Sequence, residues 1–89
     1  MITWLLSKAH NRRGDCLLLY GRAQDALDAY EAALAITPDD DYVLYNRARA
    51  HLALGNPTAA KTDLNAVLDS KTSQPGARKL ATKELEKLK

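Results

Sequence analysis

The sequence predicts an all-α domain of about five helices, arranged as antiparallel hairpins that stack on one another. The main observation is an internal repeat, because residues 11–38 and residues 45–72 share one layout at an offset of 34 positions. A fixed period of this length is typical of stacked helical hairpins. The composition agrees, since Ala and Leu are frequent, Phe is absent and small side chains let helices pack closely. The identical pairs at this offset are Arg13/Arg47, Leu18/Leu52, Gly21/Gly55, Ala26/Ala60, Ala32/Ala66 and Leu34/Leu68.

The first repeat contains signals for two helices. The pattern predicts a helix over about Thr3–Tyr20, with its first residue as the N-cap and Gly21 ending it in the left-handed conformation. A second helix is predicted over about Ala23–Ile36, where apolar residues recur every three or four positions, and Pro38 stops it. Gly14 interrupts the first helix at a cost of roughly 1 kcal/mol relative to Ala. We therefore expect a neighbouring helix to approach closely at that position.

The second repeat and the residues after it predict three more helices. Asp40 or Asp41 can cap the third helix, and Gly55 closes it. Pro57 suits the first turn of the fourth helix, and a polar linker over residues 70–76 follows that helix. The fifth helix is apolar on one side and charged on the other, as a terminal capping helix requires. The predicted bounds of these helices are about Asp41–Leu54, Pro57–Asp69 and Ala77–Leu88.

Composition and charge exclude several classes of protein. The single cysteine, Cys16, rules out an internal disulfide and favours a reducing compartment, so a cytoplasmic location is expected. No run approaches the ~20 apolar residues that cross a bilayer, so no membrane insertion is expected. The formal net charge of +2 is too small to indicate a nucleic-acid partner. The basic face of the last helix has no aromatic residues, which also argues against nucleic acid.

Two copies of a recurring residue set resemble the tetratricopeptide repeat (TPR) family. The pattern of that family is roughly W-x2-L-G-x2-Y, then A-x3-F, then a later A and P. His10 and Leu44 stand at its tryptophan position, and Arg13 and Arg47 at its leucine position, so unusual contacts are expected within the hairpins. The matching residues are Gly14, Leu17, Gly21, Ala26, Tyr30, Ala33 and Pro38 in the first copy, and Ala48, His51, Gly55, Ala60, Leu64 and Val67 in the second, with Thr72 at the proline position.

The resemblance implies a single TPR domain over residues 1–89, folded as a short right-handed superhelix. Repeat 1 would cover about residues 7–40, repeat 2 about residues 41–74, and a C-terminal capping helix about residues 77–88. Two repeats are fewer than the three or more that stability usually requires. The last helix and the patch around Trp4 must therefore supply buried area, or a second copy of the chain must.

The resemblance also implies a function as a protein–protein interaction scaffold or adaptor. In this family the first helix of each hairpin lines a concave groove, which here would dock a peptide or a partner helix. The side chains that would line the groove are Lys8, Asn11, Arg12, Asp15, Leu19, Tyr42, Tyr45, Asn46, Arg49, Ala53, Lys79 and Lys83. The expected binding residues among them are Asn11, Arg12, Tyr42, Tyr45, Asn46, Arg49, Lys79 and Lys83.

The carboxylate clamp with which some family members hold chaperone tails is not expected. That clamp requires Lys and Asn where this chain has Asn11 and Asp15, and basic residues where it has Gly76 and Leu80. Binding would instead rest on basic side chains that neutralise acidic ones and on tyrosine rings that pack against apolar ones.

The sequence is compatible with two other classes of function. One is a self-associating assembly module, a homo-oligomer formed through Trp4 and Leu5 or through oppositely charged ends. The other is an enzyme, which the sequence does not favour because no catalytic motif is present. His10 and His51 lack a neighbouring cluster with metal-ligand spacing, so packed histidines are expected. The sequence therefore predicts no catalytic residue, no metal and no cofactor.

Overall fold

The fold consists of five α-helices in a computed structural model that describes residues 2–71 and 73–88. Those residues contain no strand, so the all-α helical-repeat prediction is confirmed. Thr72, which stands at the proline position of the second repeat, lies outside the described residues. The helices are α1 (Ile2–Leu19), α2 (Ala23–Ile36), α3 (Asp41–Ala53), α4 (Pro57–Asp69) and α5 (Pro75–Lys87).

The helices pack in chain order as two hairpins and a final helix. The pairs α1/α2 and α3/α4 form the hairpins, α3 packs on α2, and α5 packs on α4. Gly14 explains how closely the first pair approaches, because a Cβ added there would lie 2.5 Å from Tyr30 Cε1. The expected close approach at Gly14 is therefore confirmed, and the neighbour is the ring of Tyr30.

Glycine and aspartate define the helix ends as predicted. Gly21 and Gly55 have φ angles of 77° and 76°, in the left-handed region that glycine tolerates best. Beyond Gly55, the backbone N–H of Asn56 donates to the carbonyl of His51 at 2.9 Å and satisfies a carbonyl at the end of α3. The side chain of Asp40 caps α3 by accepting from the first backbone N–H groups of that helix.

Two apolar clusters form the core, and Leu44 packs against both. The first cluster joins α2 to α3 and the second joins α3 to α4 and α5. Small side chains dominate both clusters, which lets the helix axes lie close together. The buried members are Ala26, Tyr30, Ala33, Leu34, Val43 and Ala50 in the first cluster, and Ala48, Ala60, Leu64, Val67, Ala77 and Ala81 in the second.

Two predicted helix starts were wrong. The first helix begins at Ile2, so Thr3 lies inside it and is not its N-cap. The fifth helix begins at Pro75, two residues before the predicted start, because proline lacks an N–H and fits the first helical position. Gly76 therefore belongs to the first turn of α5, where a Cβ would collide with the hydroxyl of Tyr42.

Candidate functional site

A cavity of about 550 Å³ lies where α1, the start of α3 and the residue before α5 meet. Side chains from one face of α1 form most of its wall, and Tyr42 closes it from α3. Three of the expected binding residues, Asn11, Arg12 and Tyr42, are thus brought to a single cavity. The full lining is Trp4, Lys8, Asn11, Arg12, Asp15, Asp40, Tyr42 and Gln74.

Three more expected binding residues follow one another along α3. The Asn46 Nδ2 donates to Asn11 Oδ1 at 3.0 Å, which links α3 to the wall of the cavity. The guanidinium of Arg49 lies 5.9 Å from the ring centroid of Tyr45, within the range of a cation–π contact. Tyr45, Asn46 and Arg49 are therefore beside the cavity and do not line it.

The two expected residues of α5 are exposed and do not line the cavity. Lys79 and Lys83 lie one and two turns after Gly76, near the same stripe of the helix. Gly76 lies against Tyr42, so this stripe begins at the cavity.

The carboxylates of the cavity are already engaged within the protein. Asp15 accepts a short hydrogen bond from the hydroxyl of Tyr30, and Asp40 accepts from the backbone N–H groups of Tyr42 and Val43. Arg12, by contrast, has no hydrogen bond or ion pair within the described residues. The lining therefore contains two cations, Lys8 and Arg12, and two carboxylates that already accept hydrogen bonds from within the protein.

Lys8 and Trp4 form the end of the cavity nearest the chain start. The Nζ atom of Lys8 lies 4.5 Å from the centroid of the Trp4 ring, a cation–π contact. Trp4 and Leu5 remain exposed by 53% and 58%. The ring of Trp4 thus presents apolar surface at the end of the cavity.

Tyr30 is a buried support beneath the cavity wall. Burial, and then its hydrogen bond to Asp15, raise the pKa of Tyr30 well above its ordinary value. The phenol therefore stays protonated and keeps donating to Asp15 at physiological pH. The same ring fills the space over Gly14. One residue thus holds α1 against α2 and orients a carboxylate of the cavity.

An ion pair between α3 and α4 was missed by the sequence analysis. Arg47 donates from Nε to Asp63 Oδ2 at 2.8 Å and from Nη2 to Asp63 Oδ1 at 2.6 Å. His51 Nε2 lies 3.7 Å from the same carboxylate. Hydrogen bonding to Asp63 is the main cause that raises the pKa of Arg47. The available signal was Arg47 at a leucine position, since a half-buried guanidinium favours a carboxylate on the facing helix. The expected unusual hairpin contact is this pair.

Two further properties concern the described residues as a whole. Over residues 2–71 and 73–88, no group of three or more His, Cys, Asp or Glu side chains is placed to hold a metal ion. Within the same ranges, none of the helices combines the length and the apolar character needed to cross a bilayer.

Paired antiparallel helices with a 34-residue period define a helical-repeat protein of the protein-interaction class. The sequence profile of the tetratricopeptide repeat matches residues 17–84 of the chain. The chain belongs to the tetratricopeptide repeat family, and the predicted membership is confirmed. Domains of this family bind other proteins, so the chain is a protein–protein interaction module.

Similar proteins include DnaJ homolog subfamily C member 3 from Bos taurus and from Homo sapiens. Each is 38% identical over 69 residues, which cover 78% of this chain and 14% of the relative. The tetratricopeptide repeat and J domain-containing co-chaperone DNJ1 of Fusarium oxysporum f. sp. lycopersici is 38% identical over 73 residues, covering 82% of this chain and 13% of the relative. The chain thus spans a small part of the length of these relatives. No solved structure matches it.

Proposed function

We propose that this chain is a scaffold or adaptor that docks an acidic peptide or partner helix in a groove along α1, α3 and α5. The observation that carries the proposal is the cavity of about 550 Å³, in which Arg12 is unpaired within the described residues while both carboxylates are engaged. Along the whole groove basic residues outnumber acidic ones, which favours ligands that bring Asp or Glu side chains. These residues are Lys8, Arg12, Arg49, Lys79 and Lys83 against Asp15 and Asp40.

The pair of Asn11 and Asn46 would hold the main chain of the ligand. Asn11 uses its carbonyl oxygen and Asn46 uses one N–H in the bond between them. The Asn11 amide N–H groups and the Asn46 carbonyl then remain for an incoming peptide unit, which offers one acceptor and one donor. This arrangement needs no particular ligand side chain, so the specificity would come from the residues around it.

Aromatic and basic residues around the asparagines would select the side chains of the ligand. The rings of Tyr42 and Tyr45 offer apolar faces, and Trp4 extends this surface beyond the cavity. Arg12 and Arg49 would pair with ligand carboxylates on either side of the asparagine pair. Lys79 and Lys83 would add long-range attraction from α5, which speeds association more than it tightens the complex.

A peptide display experiment tests the groove. The folded chain would be screened against a random peptide library, in parallel with an Asn46→Ala/Arg49→Ala variant and a Lys61→Ala control on the exposed side of α4. We expect acidic peptides to be enriched by the wild type and the control and lost by the double variant. Enrichment that the groove variant retains would refute the groove as the binding site.

Self-association through Trp4 and Leu5 is the second candidate function, favoured by their exposure at 53% and 58%. Sedimentation of the wild type and of a Trp4→Ala/Leu5→Ser variant over a hundredfold concentration range separates the two candidates. A monomer at all concentrations refutes assembly, whereas an oligomer lost in the variant supports it.

The name of one relative indicates a setting for the proposed function, and the single cysteine indicates a cellular compartment. One relative is named a co-chaperone, and a role beside a chaperone is one setting for an adaptor of this kind. We propose a cytoplasmic location on the basis of the single Cys16.

A further inference from the structure

Both repeats carry the same helix-packing surface on their first helix. This surface is buried on α3 and exposed on α1. In the second repeat, α3 packs on α2 through Val43 and Ala50, which are 1% and 0% exposed. The 34-residue offset maps these two positions onto Ala9 and Cys16 of α1, and both are exposed. Among the described residues, none covers the surface of α1 that corresponds to the one buried by α3. We call the stripe of Leu5, Ala9, Arg13 and Cys16 the outer face of α1.

The charges of the covered interfaces follow one rule. Helix α2 contains three carboxylates and no basic residue, and the helix packed on it, α3, contains Arg47 and Arg49 against Asp41. Helix α4 contains Asp63 and Asp69 against Lys61, and the helix packed on it, α5, contains four basic residues against two glutamates. An acidic helix thus precedes a basic one at the α2/α3 and α4/α5 interfaces. Helix α1 is basic like α3 and α5, with Lys8, Arg12 and Arg13 against Asp15, and Arg13 is the one of these that lies on the outer face.

The surroundings of Arg13 indicate which chemical group a partner would bring to the outer face of α1. Its repeat partner, Arg47, pairs with Asp63 and is also attracted by Glu31 of α2. At the position equivalent to Asp63 the first repeat has Ala29, and Arg13 has no hydrogen bond or ion pair within the described residues. Arg13 and Ala29 instead line a cavity of about 260 Å³. The first repeat therefore has the guanidinium and the space, but it has no carboxylate at the position equivalent to Asp63.

The other charged groups of this cavity have partners within the protein. Arg22 pairs with Asp25, and Asp28 accepts from the side chain of Gln24 at 3.3 Å. His10 completes the polar part of the lining. Arg13 is thus the cation that an incoming carboxylate would meet.

We propose that the outer face of α1 docks an acidic amphipathic helix of a partner protein, as α2 covers α3. Small apolar residues of that helix would contact Ala9 and Cys16, and one of its carboxylates would reach Arg13 at the mouth of the cavity. A second copy of the chain is the weaker occupant, because a twofold pairing brings the basic helix α1 against α1 of the other copy. Head-to-tail pairing would oppose the basic α1 to the basic α5, which costs free energy for the same reason.

The sequence of α2 supplies the probe for a test. A peptide of residues 22–38 would be held helical by a lactam between Asp28 and a lysine introduced as Gln24→Lys, since both positions are exposed beside α3. Preorganisation lowers the entropy cost of docking. Titrated into the full ¹⁵N-labelled chain, the peptide is expected to shift the amides of Ala9, Arg13 and Cys16 in a saturable manner. No saturable shift on α1 at millimolar peptide would overturn the proposal.

A pair of charge variants identifies the contact. On the wild-type chain, the Glu31→Gln peptide should bind about threefold more weakly than the unchanged peptide. On an Arg13→Ala chain, the two peptides should bind with equal affinity. Arg12→Ala is the matched control, because it removes one positive charge from α1 on the groove side and should preserve the Glu31 effect. An equal Glu31 effect on the Arg13→Ala chain would refute the contact.

Two further results separate this proposal from its alternatives. Alkylation of Cys16 with a bulky maleimide should block the peptide, because the adduct stands on the outer face, one turn after Arg13. A concentration-dependent dimer of the chain that disappears on the same alkylation would assign the face to a second copy and overturn the partner helix. Neither result depends on the groove, so a failure here leaves the proposed function to its own test.

Discussion

Arg47 and Asp63 form a two-point ion pair that joins α3 to α4 at a position where the repeat pattern has leucine. The two N–O distances are 2.8 and 2.6 Å, and Asp63 is only 4% exposed. A buried pair of this kind replaces apolar packing with charge neutralisation inside the hairpin. The contribution of the pair to the free energy of unfolding is measured best by comparing a variant that lacks one partner with a variant that lacks both.

Removing one partner should destabilise the domain strongly. In Arg47→Ala the carboxylate of Asp63 remains buried without its main partner, so we expect the free energy of unfolding to fall by about 2–3 kcal/mol. Urea unfolding followed by circular dichroism measures this change. Arg47→Leu/Asp63→Leu restores apolar packing and should be close to wild type, whereas a double variant as unstable as Arg47→Ala would show that charge burial is not the cause.

Gly14→Ala should destabilise the protein although alanine is the better helix former. The new Cβ would lie 2.5 Å from Tyr30 Cε1, and overpacking of this kind typically costs about 1–3 kcal/mol. The second hairpin shows the compatible alternative, since Ala48 and Leu64 stand at the positions equivalent to Gly14 and Tyr30. Thermal unfolding of the two single variants and of Gly14→Ala/Tyr30→Leu completes the cycle. The double variant should be more stable than the sum of the single losses, and strict additivity would argue against the clash.

Alkaline pH should weaken the fold through Tyr30. Burial raises the pKa of Tyr30 in the folded state above its ordinary value of 10.0, so the stabilisation is complete below about pH 10. It is lost as the pH rises from there towards the folded pKa, because the unfolded chain releases the proton first. Urea unfolding at pH 8 and pH 10.5 should show a smaller decrease for Tyr30→Phe than for wild type. Tyr20→Phe, at an exposed tyrosine, should decrease like the wild type, and an equal decrease in all three proteins would exclude Tyr30 as the cause.

The parts of this fold that the sequence predicts are those set by local signals. Gly21 and Gly55 end helices because glycine tolerates a positive φ, and Asp40 caps α3 through its own side chain. The start of α5 was predicted too late because Pro75 followed by Gly76 also suits a linker, and only the contact with Tyr42 shows that a glycine is accommodated inside the helix.

Contacts across helices are harder to predict than helix ends. Asp63 was missed because the internal alignment pairs it with Ala29, so the repeat itself hides the partner of Arg47. The cavity was predicted only in part, since α1 and Tyr42 follow the repeat pattern while Trp4, Asp40 and Gln74 reach it from segments between or beyond the paired positions. Where side chains from separate helices meet depends on the packing of Gly14 and the alanines, which periodicity alone does not specify.

The contact between Gly76 and Tyr42 offers a way to change the groove without changing the core. A Cβ at residue 76 would collide with the hydroxyl of Tyr42, a side chain that lines the cavity and can swing aside. Gly76→Ala should therefore displace the ring and lower the affinity for a selected acidic peptide by about threefold to tenfold. The free energy of unfolding should change little, because alanine gains helix propensity in the first turn of α5.

The second variant separates the hydroxyl from other effects of the added methyl group. Without the hydroxyl, the nearest ring atom of residue 42 is Cζ, at 3.6 Å from the position of the Cβ, which is ordinary van der Waals contact. Gly76→Ala/Tyr42→Phe should thus return the ring to its place and bind the peptide as tightly as Tyr42→Phe alone. Isothermal titration calorimetry of the four proteins measures the cycle. If the double variant binds as weakly as Gly76→Ala, the loss arises from α5 itself and not from the position of the ring.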